Sequence, residues 1–549
     1  MPNVTFELKY LMSLISPSIE KDKLQEIVYN LGLEVEHIND KEITLEVTSN
    51  RPDLFSIYGL ARAIRNYLHI NKKFNYELIK ENEKPYLSII VSQEMKKAKQ
   101  FISGFVANGI TFNDQLLSEV FNFSEKFSDT IGRKRRKAAI GIHDLDKIKG
   151  DVKFEFSKDE NFSYLNSKNE EKFSYVLKNT EKGREYTQAI PKNNDGRYPV
   201  LKDEEGFIAF VPILNSNRTA VTKNTKNVFV EITGSSQDMV ERANNLLAIT
   251  FSEFSDSIKP ISIKGNNKIQ KMPELVQKYI SIPMSQIEYE IGVSIGFNNI
   301  ISLANKMGYD AALLGRNIRF SIPEYRLDIL NEQDIIEDIA IAYGYDYINN
   351  IPVPSISKGK FLLHHYLFEN ISNTLVGMGF SESMSTYLTN ESKNFSDMCI
   401  KIPDADSYIR LKDSKSTSLS MARTWLLPSL LNVISSSKHE KFPQKVFELD
   451  LVFNLNNKKP SESYHIAGVS SGNKQNFNDI KSVVESLLTI NNLVFTIEED
   501  SRPTFIEGRC ASIIINGVKK GFMGEISPKV LQNFGIDEPT IAFEINLSN

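Results

Sequence analysis

Residues 317–346 read NIRFSIPEYRLDILNEQDIIEDIAIAYGYD, and the stretch changes period midway. Apolar and polar residues alternate over NIRFSIP, as in a strand with one buried face. The run DIIEDIAIAYGYD that follows reads as a helix, so strand and helix alternate here. Asp334, Glu337 and Asp338 stand at i, i+3 and i+4, which puts three carboxylates on one helical face, with Asp328 just upstream after YRL. Like charges so placed cost an isolated helix a few tenths of a kcal/mol per pair. A hard cation such as Mg2+ would turn that cost into coordination, because it takes oxygen ligands. Mg2+ usually keeps waters and takes only one or two carboxylates, so four would be unusual. Acids near a helix start are also favoured by the macrodipole alone. On spacing, both readings stay open.

The same alternation extends outward. SQIEYEIG (285–292) reads as a strand, NNIISLANKMGYDAALL (298–314) as a helix, and both precede the opening stretch. Upstream, EITLEVT (42–48) alternates as a strand. SNRPDLFSIYGLARAIRNYL (49–68) is a helix with Leu54, Ile57, Leu60, Ala61, Ile64 and Leu68 on one stripe, Pro52 and Asp53 in its first turn and Ser49 or Asn50 as cap. FISGFVANGITF and NVFVEIT read as strands and SQDMVERANNLLAITFSEF as a helix. Downstream, the helix HHYLFENISNTLVGMGF precedes the strands KVFELDLVF, HIAGVSS, RCASIIING and TIAFEIN. The fold class is α+β and multidomain, with mostly antiparallel sheets and no doubly wound parallel core. Ile70–Tyr86, Ser255–Pro273 and Asn349–Lys360 read as joints from their polar, Pro- and Ser-bearing composition. They divide the chain into residues 1–80, 81–270, 271–350 and 351–549.

Composition narrows the classes of function. The 549 residues carry 65 Lys+Arg against 69 Asp+Glu, a net charge of −4, with 41% hydrophobic residues. That apolar fraction supports real cores, and the near-neutral balance excludes a wholly basic, histone-like binder. No segment approaches the roughly 20 apolar residues that cross a bilayer, and no export signal is expected at the start. Two Cys, Cys399 and Cys510, cannot build a disulfide framework and read as packing residues. A reducing, cytoplasmic compartment fits.

Two further clusters carry chemistry. Gly132–Lys137 reads GRKRRK, a run that can meet a phosphate backbone or simply be a solvated loop. VEITGSS sets Glu231, Thr233, Ser235 and Ser236 around Gly234; a carboxylate beside hydroxyls can place water or a hydroxylated substrate, or the stretch can be an ordinary strand-to-helix connection. VPILNSN, ending at Asn215, Ser216 and Asn217, is polar in the same way. His143, beside Asp144, reads as a structural histidine. The chain has no phosphate-binding P-loop, no Gly-x-Ser-x-Gly elbow and no zinc signature.

TSNRPDLFSIYGLARAIR, IGRKRRKAAIGIHDLDKIK, VFVEITG, PEYRLDILNEQDIIEDIAIAYGY and the closing FIEGRCASIIINGVKKGFMGEISPKVLQNFGIDEPTIAFEI, in that order and spacing, resemble the beta chain of phenylalanyl-tRNA synthetase in its archaeal or eukaryotic-cytosolic form. The bacterial form's additional oligonucleotide-binding and anticodon-binding domains have no room here. The resemblance implies an α2β2 ligase that joins phenylalanine to tRNA-Phe in the cytoplasm. ATP and the class II catalytic site would lie on an alpha subunit, and neither membrane nor DNA is an expected partner. It implies an N-terminal α+β module at 1–80 and an editing, tRNA-binding domain at 81–270 that hydrolyses mischarged tyrosyl-tRNA. A winged-helix-like, magnesium-binding module would follow at 271–350, and a degenerate catalytic-like domain packing on alpha at 351–549. It assigns Mg2+ to Asp328, Asp334, Glu337 and Asp338. It assigns editing to Glu231, Thr233, Asn215 and Ser216, with Glu231 where the family's strand carries Asp. GFMGEIS (521–527) lacks the Arg of the class II Gly-x-Gly-x-x-Arg ending, in line with catalysis elsewhere. A noncatalytic RNA-binding scaffold and a freestanding misacylated-tRNA hydrolase are the competing readings.

Overall fold

The computed structural model describes residues 2–15, 19–70, 83–191, 195–265, 268–352, 357–456 and 458–548. It forms two compact units, Met1–Pro352 and Val353–Asn549. The division falls within the Asn349–Lys360 joint.

In the first unit, a four-stranded antiparallel sheet holds the strands Ser257–Lys259, Phe101–Asn108, Val228–Gly234 and Ala139–Asp144, in that order. Its two faces do different things. Phe105, Ala107, Val228, Val230, Ile232 and Ile142 belong to a large core that includes Leu116, Val120, Phe123 and Phe127 of helix Asp114–Asp129 and Val240, Ala243, Leu246 and Leu247 of helix Gln237–Phe251. The opposite face sends Ile102, Val106 and Phe229 against Leu87, Ile89, Phe154, Leu201, Ile208 and Ile261 of a second, seven-stranded sheet. That sheet runs Leu214–Asn215, Phe207–Phe210, Tyr198–Lys202, Val152–Ser157, Leu87–Val91, Ile261–Gly265, Lys268–Met272, and is mixed: Leu87–Val91 pairs parallel with both of its neighbours.

The large core continues into both flanking blocks. It takes in Phe6, Ile43 and Leu60 from the N-terminal block and Ile300, Phe320 and Ile339 from the 271–350 block. Three sequence blocks therefore share one interior. The N-terminal sheet orders Asn3–Glu7, Glu42–Glu46, Glu34–Ile38, and the third block orders Lys278–Pro283, Asn317–Ile322, Asp310–Leu314.

Four sequence expectations change. Ser255–Pro273 is no linker: among its residues, Ser257–Lys259, Ile261–Gly265 and Lys268–Met272 are strands, with Ile258 and Ile261 fully buried. The 49–68 helix begins only at Ile57, capped by the Ser56 hydroxyl; Pro52–Phe55 is a separate short 3-10 turn folded back so closely that a Cβ on Gly59 would overlap the Asp53 carbonyl. SQIEYEIG is mostly helix, Met284–Ile291, because Ile287 and Ile291, four apart, face the core while Tyr289 is 84% exposed. The 298–314 helix stops at Lys306; Gly308 takes φ +88° and Asp310–Leu314 turns back as a strand. The Ile70–Tyr86 joint lies largely outside the described residues.

The second unit is built on a seven-stranded sheet ordered Ser381–Glu382, Gln444–Asn456, Lys459–Ser471, Thr540–Asn546, Val518–Ile526, Phe505–Ile515, Phe495–Glu499. All pairings are antiparallel except the short first one. Helices Leu427–Ser436 and Phe477–Ile490 bury their apolar stripes on two cores along it. Cys510 packs in one of them, its thiol pushed up to about 11 by burial.

Candidate functional site

Every residue of the Val228–Gly234 strand is buried, and its register sets what surrounds Glu231. Glu231 pairs with Gly104 on one side and Gly141 on the other, and Phe229 pairs with His143. Because side chains alternate along a strand, Glu231, Thr233, His143 and Gly141 all face the second sheet. Gly141 makes the space: a Cβ there would overlap Glu231 Oε1 and lie 3.0 Å from His143 Nε2. The carboxyl and the imidazole thus converge over the bare backbone of one glycine.

Glu231 is 3% exposed, Thr233 2% and His143 0%. Glu231 Oε2, Thr233 Oγ1 and His143 Nε2 are buried without hydrogen-bond partners. Such groups usually cost about 1–3 kcal/mol each and are rare in folded proteins. Burial pushes the Glu231 carboxyl up to about 8 against a smaller lowering by the adjacent Thr233 hydroxyl and, with the nearby positive charge of Arg218, holds His143 down to about 3. At neutral pH the first is a neutral acid that can donate a hydrogen bond. The second is a neutral ring, and its Nδ1 lies 3.1 Å from the Thr219 hydroxyl.

Asn215 ends the short edge strand Leu214–Asn215 of the second sheet, and Ser216 follows it. Asn215 Nδ2 donates to the Ile142 carbonyl at 3.3 Å, and Ser216 Oγ accepts from the Arg218 amide at 3.2 Å. Both side chains are therefore engaged, whereas Glu231 Oε2 and Thr233 Oγ1 have no partner at full hydrogen-bond geometry. Thr233 and Gly234 also line a narrow cleft with Gln100, Arg135, Phe154 and Pro212, which has room for little more than a water. The sequence places His143 beside Asp144 as a structural residue; its ring is fully buried against Phe229, and strand pairing sets it on the same face as Glu231. Alternation over Ala139–Asp144 signals that Gly141 and His143 share a face; it does not signal which strand they face.

The four acids of the third block are distributed differently. Arg326 Nε and Nη2 clamp Asp328 at 2.9 and 2.7 Å, and Nη2 also reaches Asp338 at 2.6 Å. Tyr309 donates its hydroxyl to the same Asp338 oxygen. Burial alone would raise the Asp328 carboxyl, but Arg326, together with Arg51 and a backbone hydrogen bond, outweighs it and holds it below the usual carboxylate range. Asp334 accepts from the Leu330 and Asn331 amides at 2.7 and 2.9 Å and forms a capping box for helix Glu332–Tyr343. Glu337 points to solvent. Arranged in this way the four do not make a shell for Mg2+, and among the described residues no group of three or more His, Cys, Asp or Glu side chains does. An ion here would have to displace a buried guanidinium.

The chain matches three family models, described as the phenylalanyl tRNA synthetase beta chain CLM domain over residues 349–547, the tRNA synthetase B5 domain over 280–345 and the B3/4 domain over 131–256. The B3/4 match contains Glu231, Thr233 and His143, and the B5 match contains the Arg326 cluster. The phenylalanine–tRNA ligase beta subunit of Archaeoglobus fulgidus is 31% identical over 100% of this chain and 98% of its own length. That of Methanocella arvoryzae is 31% identical over 100% of both. A crystal structure of an N-terminal fragment of the phenylalanyl-tRNA synthetase beta subunit from Pyrococcus horikoshii superposes with a TM-score of 0.58 at 30% identity, covering 63% of this chain and all of that one. The chain belongs to the phenylalanine–tRNA ligase beta-subunit family and is a subunit of an aminoacyl-tRNA synthetase.

Proposed function

We propose that this chain works with an alpha subunit as an α2β2 ligase that charges tRNA-Phe with phenylalanine in the cytoplasm. In this reading the beta chain removes tyrosine mistakenly attached to that tRNA, at the recess around Glu231. ATP and amino-acid activation belong to the alpha subunit. Two features support that division. Gly521 and Gly524 lie within the Val518–Ile526 strand, where a Cβ on Gly524 would fall 2.6 Å from the Arg509 carbonyl; this is a packed strand without the arginine that would meet phosphate. The second unit exposes Phe361, Leu362, Tyr366, Val376 and Met384, between 51% and 90%, an apolar surface suited to a permanent partner. No helix among the described residues is long and apolar enough to cross a membrane.

The observation that carries the editing assignment is the set of unpartnered buried atoms on Glu231, Thr233 and His143. A neutral carboxyl can donate and accept, a neutral imidazole nitrogen accepts, and a hydroxyl does both. Together they suit a guest that brings a hydroxyl, and tyrosine differs from phenylalanine by one. Phenylalanine would leave the recess unsatisfied, which is how a hydrogen-bonding site rejects an analogue by several kcal/mol. The cleft beside Thr233 must widen to admit the aminoacyl group. Hydrolysis then proceeds by attack of water on the ester carbonyl. The bond from that carbon to the terminal ribose oxygen breaks, the water's proton ends on the ribose, and free tyrosine and uncharged tRNA leave. With its imidazole near 3, His143 is too weak a base for that step; its role is to hold the guest.

The test is hydrolysis of tyrosyl-tRNA and phenylalanyl-tRNA by the αβ holoenzyme, wild type against Glu231→Gln. The expected outcome is strong preference for the tyrosyl ester in the wild type, lost in the variant, with phenylalanine charging retained. Equal hydrolysis of both esters by the wild type would overturn the assignment.

A further inference from the structure

The GRKRRK run adopts a conformation that needs an explanation. Arg133, Lys134 and Arg135 have φ of 51°, 53° and 61°, three successive side-chain-bearing residues in the left-handed region. L residues enter it singly and at a cost, rarely in a row. The surroundings enforce it. The Arg133, Lys134 and Arg135 amides donate to the Thr130, Asp129 and Ser128 carbonyls at 2.9–3.0 Å, wrapping the end of helix Asp114–Asp129. Arg135 turns inward: its Nη1 donates to the Pro212 and Ile213 carbonyls at 2.9 Å, and its guanidinium lies 4.0 Å from the centre of the Tyr186 ring. The Ser235 hydroxyl donates to the Arg136 carbonyl at 2.8 Å. The loop is therefore fastened to both sides of the cleft that Thr233, Gly234, Arg135 and Pro212 line.

This fastening turns Arg133, Lys134 and Arg136 outward. All three are exposed, and none ion-pairs with a carboxylate of the described residues. Three unneutralised cations on a strained, anchored turn at the mouth of a cleft make a fixed field for an anionic chain. We infer that Arg133, Lys134 and Arg136 hold the phosphates of the single-stranded acceptor end of a charged tRNA, and that Arg135 is a positioning residue that keeps the turn in place. The inference rests on the reading of the cleft as the site of ester hydrolysis.

The experiment uses the αβ holoenzyme with Arg133, Lys134 and Arg136 all changed to Ala. Binding of a tRNA acceptor-stem minihelix with a 3′ single strand is followed by fluorescence anisotropy across a salt series. KM for tyrosyl-tRNA hydrolysis is measured beside it. The variant should weaken binding and raise KM about tenfold, and the slope of log K against log salt should fall by about 2, near 0.7 for each lost phosphate contact to a single strand. A second variant, Arg133→Gly with Lys134→Gly, removes two charges and the left-handed strain together. It should raise KM while its Tm is equal to or above wild type; a lower Tm would assign the turn a purely structural role. Unchanged binding, KM and salt slope in the alanine variant would overturn the inference. The anisotropy arm needs no hydrolysis, and Glu231→Gln leaves the loop intact, so failure of the loop and failure of the cleft are read separately.

Discussion

Two buried acidic clusters lie in the same unit and handle their charges in opposite ways. Around Arg326, two carboxylates share one guanidinium, a tyrosine hydroxyl is added, and the interior hydrogen bonds are made. Around Glu231, a carboxyl, a hydroxyl and an imidazole are equally buried, but each keeps an atom without a partner. A satisfied cluster holds elements together: Arg326 ties the loop after strand Asn317–Ile322 to helix Glu332–Tyr343. An unsatisfied one costs stability, and such costs persist where a ligand repays them. Acidic residues at suggestive spacing are therefore a poor guide to a site until their partners are known.

The largest expected effect tests the satisfied cluster. Arg326→Ala removes the guanidinium that Asp328 and Asp338 share, leaving only Arg51 near Asp328, and should destabilise the protein by about 3–5 kcal/mol in chemical denaturation. A loss under 1 kcal/mol, within the range of an ordinary exposed ion pair, would erase the contrast between the clusters.

Glu231→Gln should act in the other direction on stability. The Glu231 carboxyl is raised from 4.5 to about 8 in the folded protein, so between those values the folded state binds a proton that the unfolded state lacks. Folding then loses stability as pH rises from about 4.5 to 8, and the loss is complete above 8. Relative to wild type, the glutamine variant should gain up to a few kcal/mol across that window and almost nothing at pH 4. Parallel stability–pH curves would show that Glu231 is not held neutral.

Gly141→Ala should cost about 1–3 kcal/mol, as overpacking does, and should abolish tyrosyl-tRNA hydrolysis, because its Cβ overlaps Glu231 Oε1. Full activity in this variant would mean that the carboxyl is free to move and the recess is not preformed. The smallest effect sharpens the comparison from the other side. With its carboxylates engaged by Arg326 and by the helix start, the third block should show no Tm shift on adding Mg2+ or a chelator. A clear rise with Mg2+, lost in Asp338→Asn, would return the acids to a metal-binding role.

Much of this molecule was legible along the chain. The strands at 42–46, 101–108 and 228–234 and the helix at 237–251 follow from the chain: Glu42–Glu46 alternates, whereas Phe101–Asn108 and Val228–Gly234 are short, largely apolar runs buried on both faces. Period failed where two spacings coincide: Ile287, Tyr289 and Ile291 alternate, yet Ile287 and Ile291 are also one helical turn apart, and only the core they meet selects helix. It failed at Ser255–Pro273 because Pro260, Pro273 and Gly265 suggest a loop, while Ile261–Gly265 finds its partner in Leu87–Val91, far away in sequence. Glu231 and Thr233 were found as a carboxylate beside a hydroxyl; Gly141 and His143 were not, because nothing local says that their strand pairs with that one.

Periodicity and motif order, which are properties of the chain, were enough for most of the elements, for the family and for the residues that could carry chemistry. Only the tertiary structure decided which of those residues are paired. Arg326 stands two residues from Asp328 but twelve from Asp338, and His143 lies far from Glu231 in sequence and beside it in space. Desolvation and hydrogen bonding depend on the neighbours that strand register brings together, and these set the Glu231 carboxyl near 8 and hold Asp328 ionised.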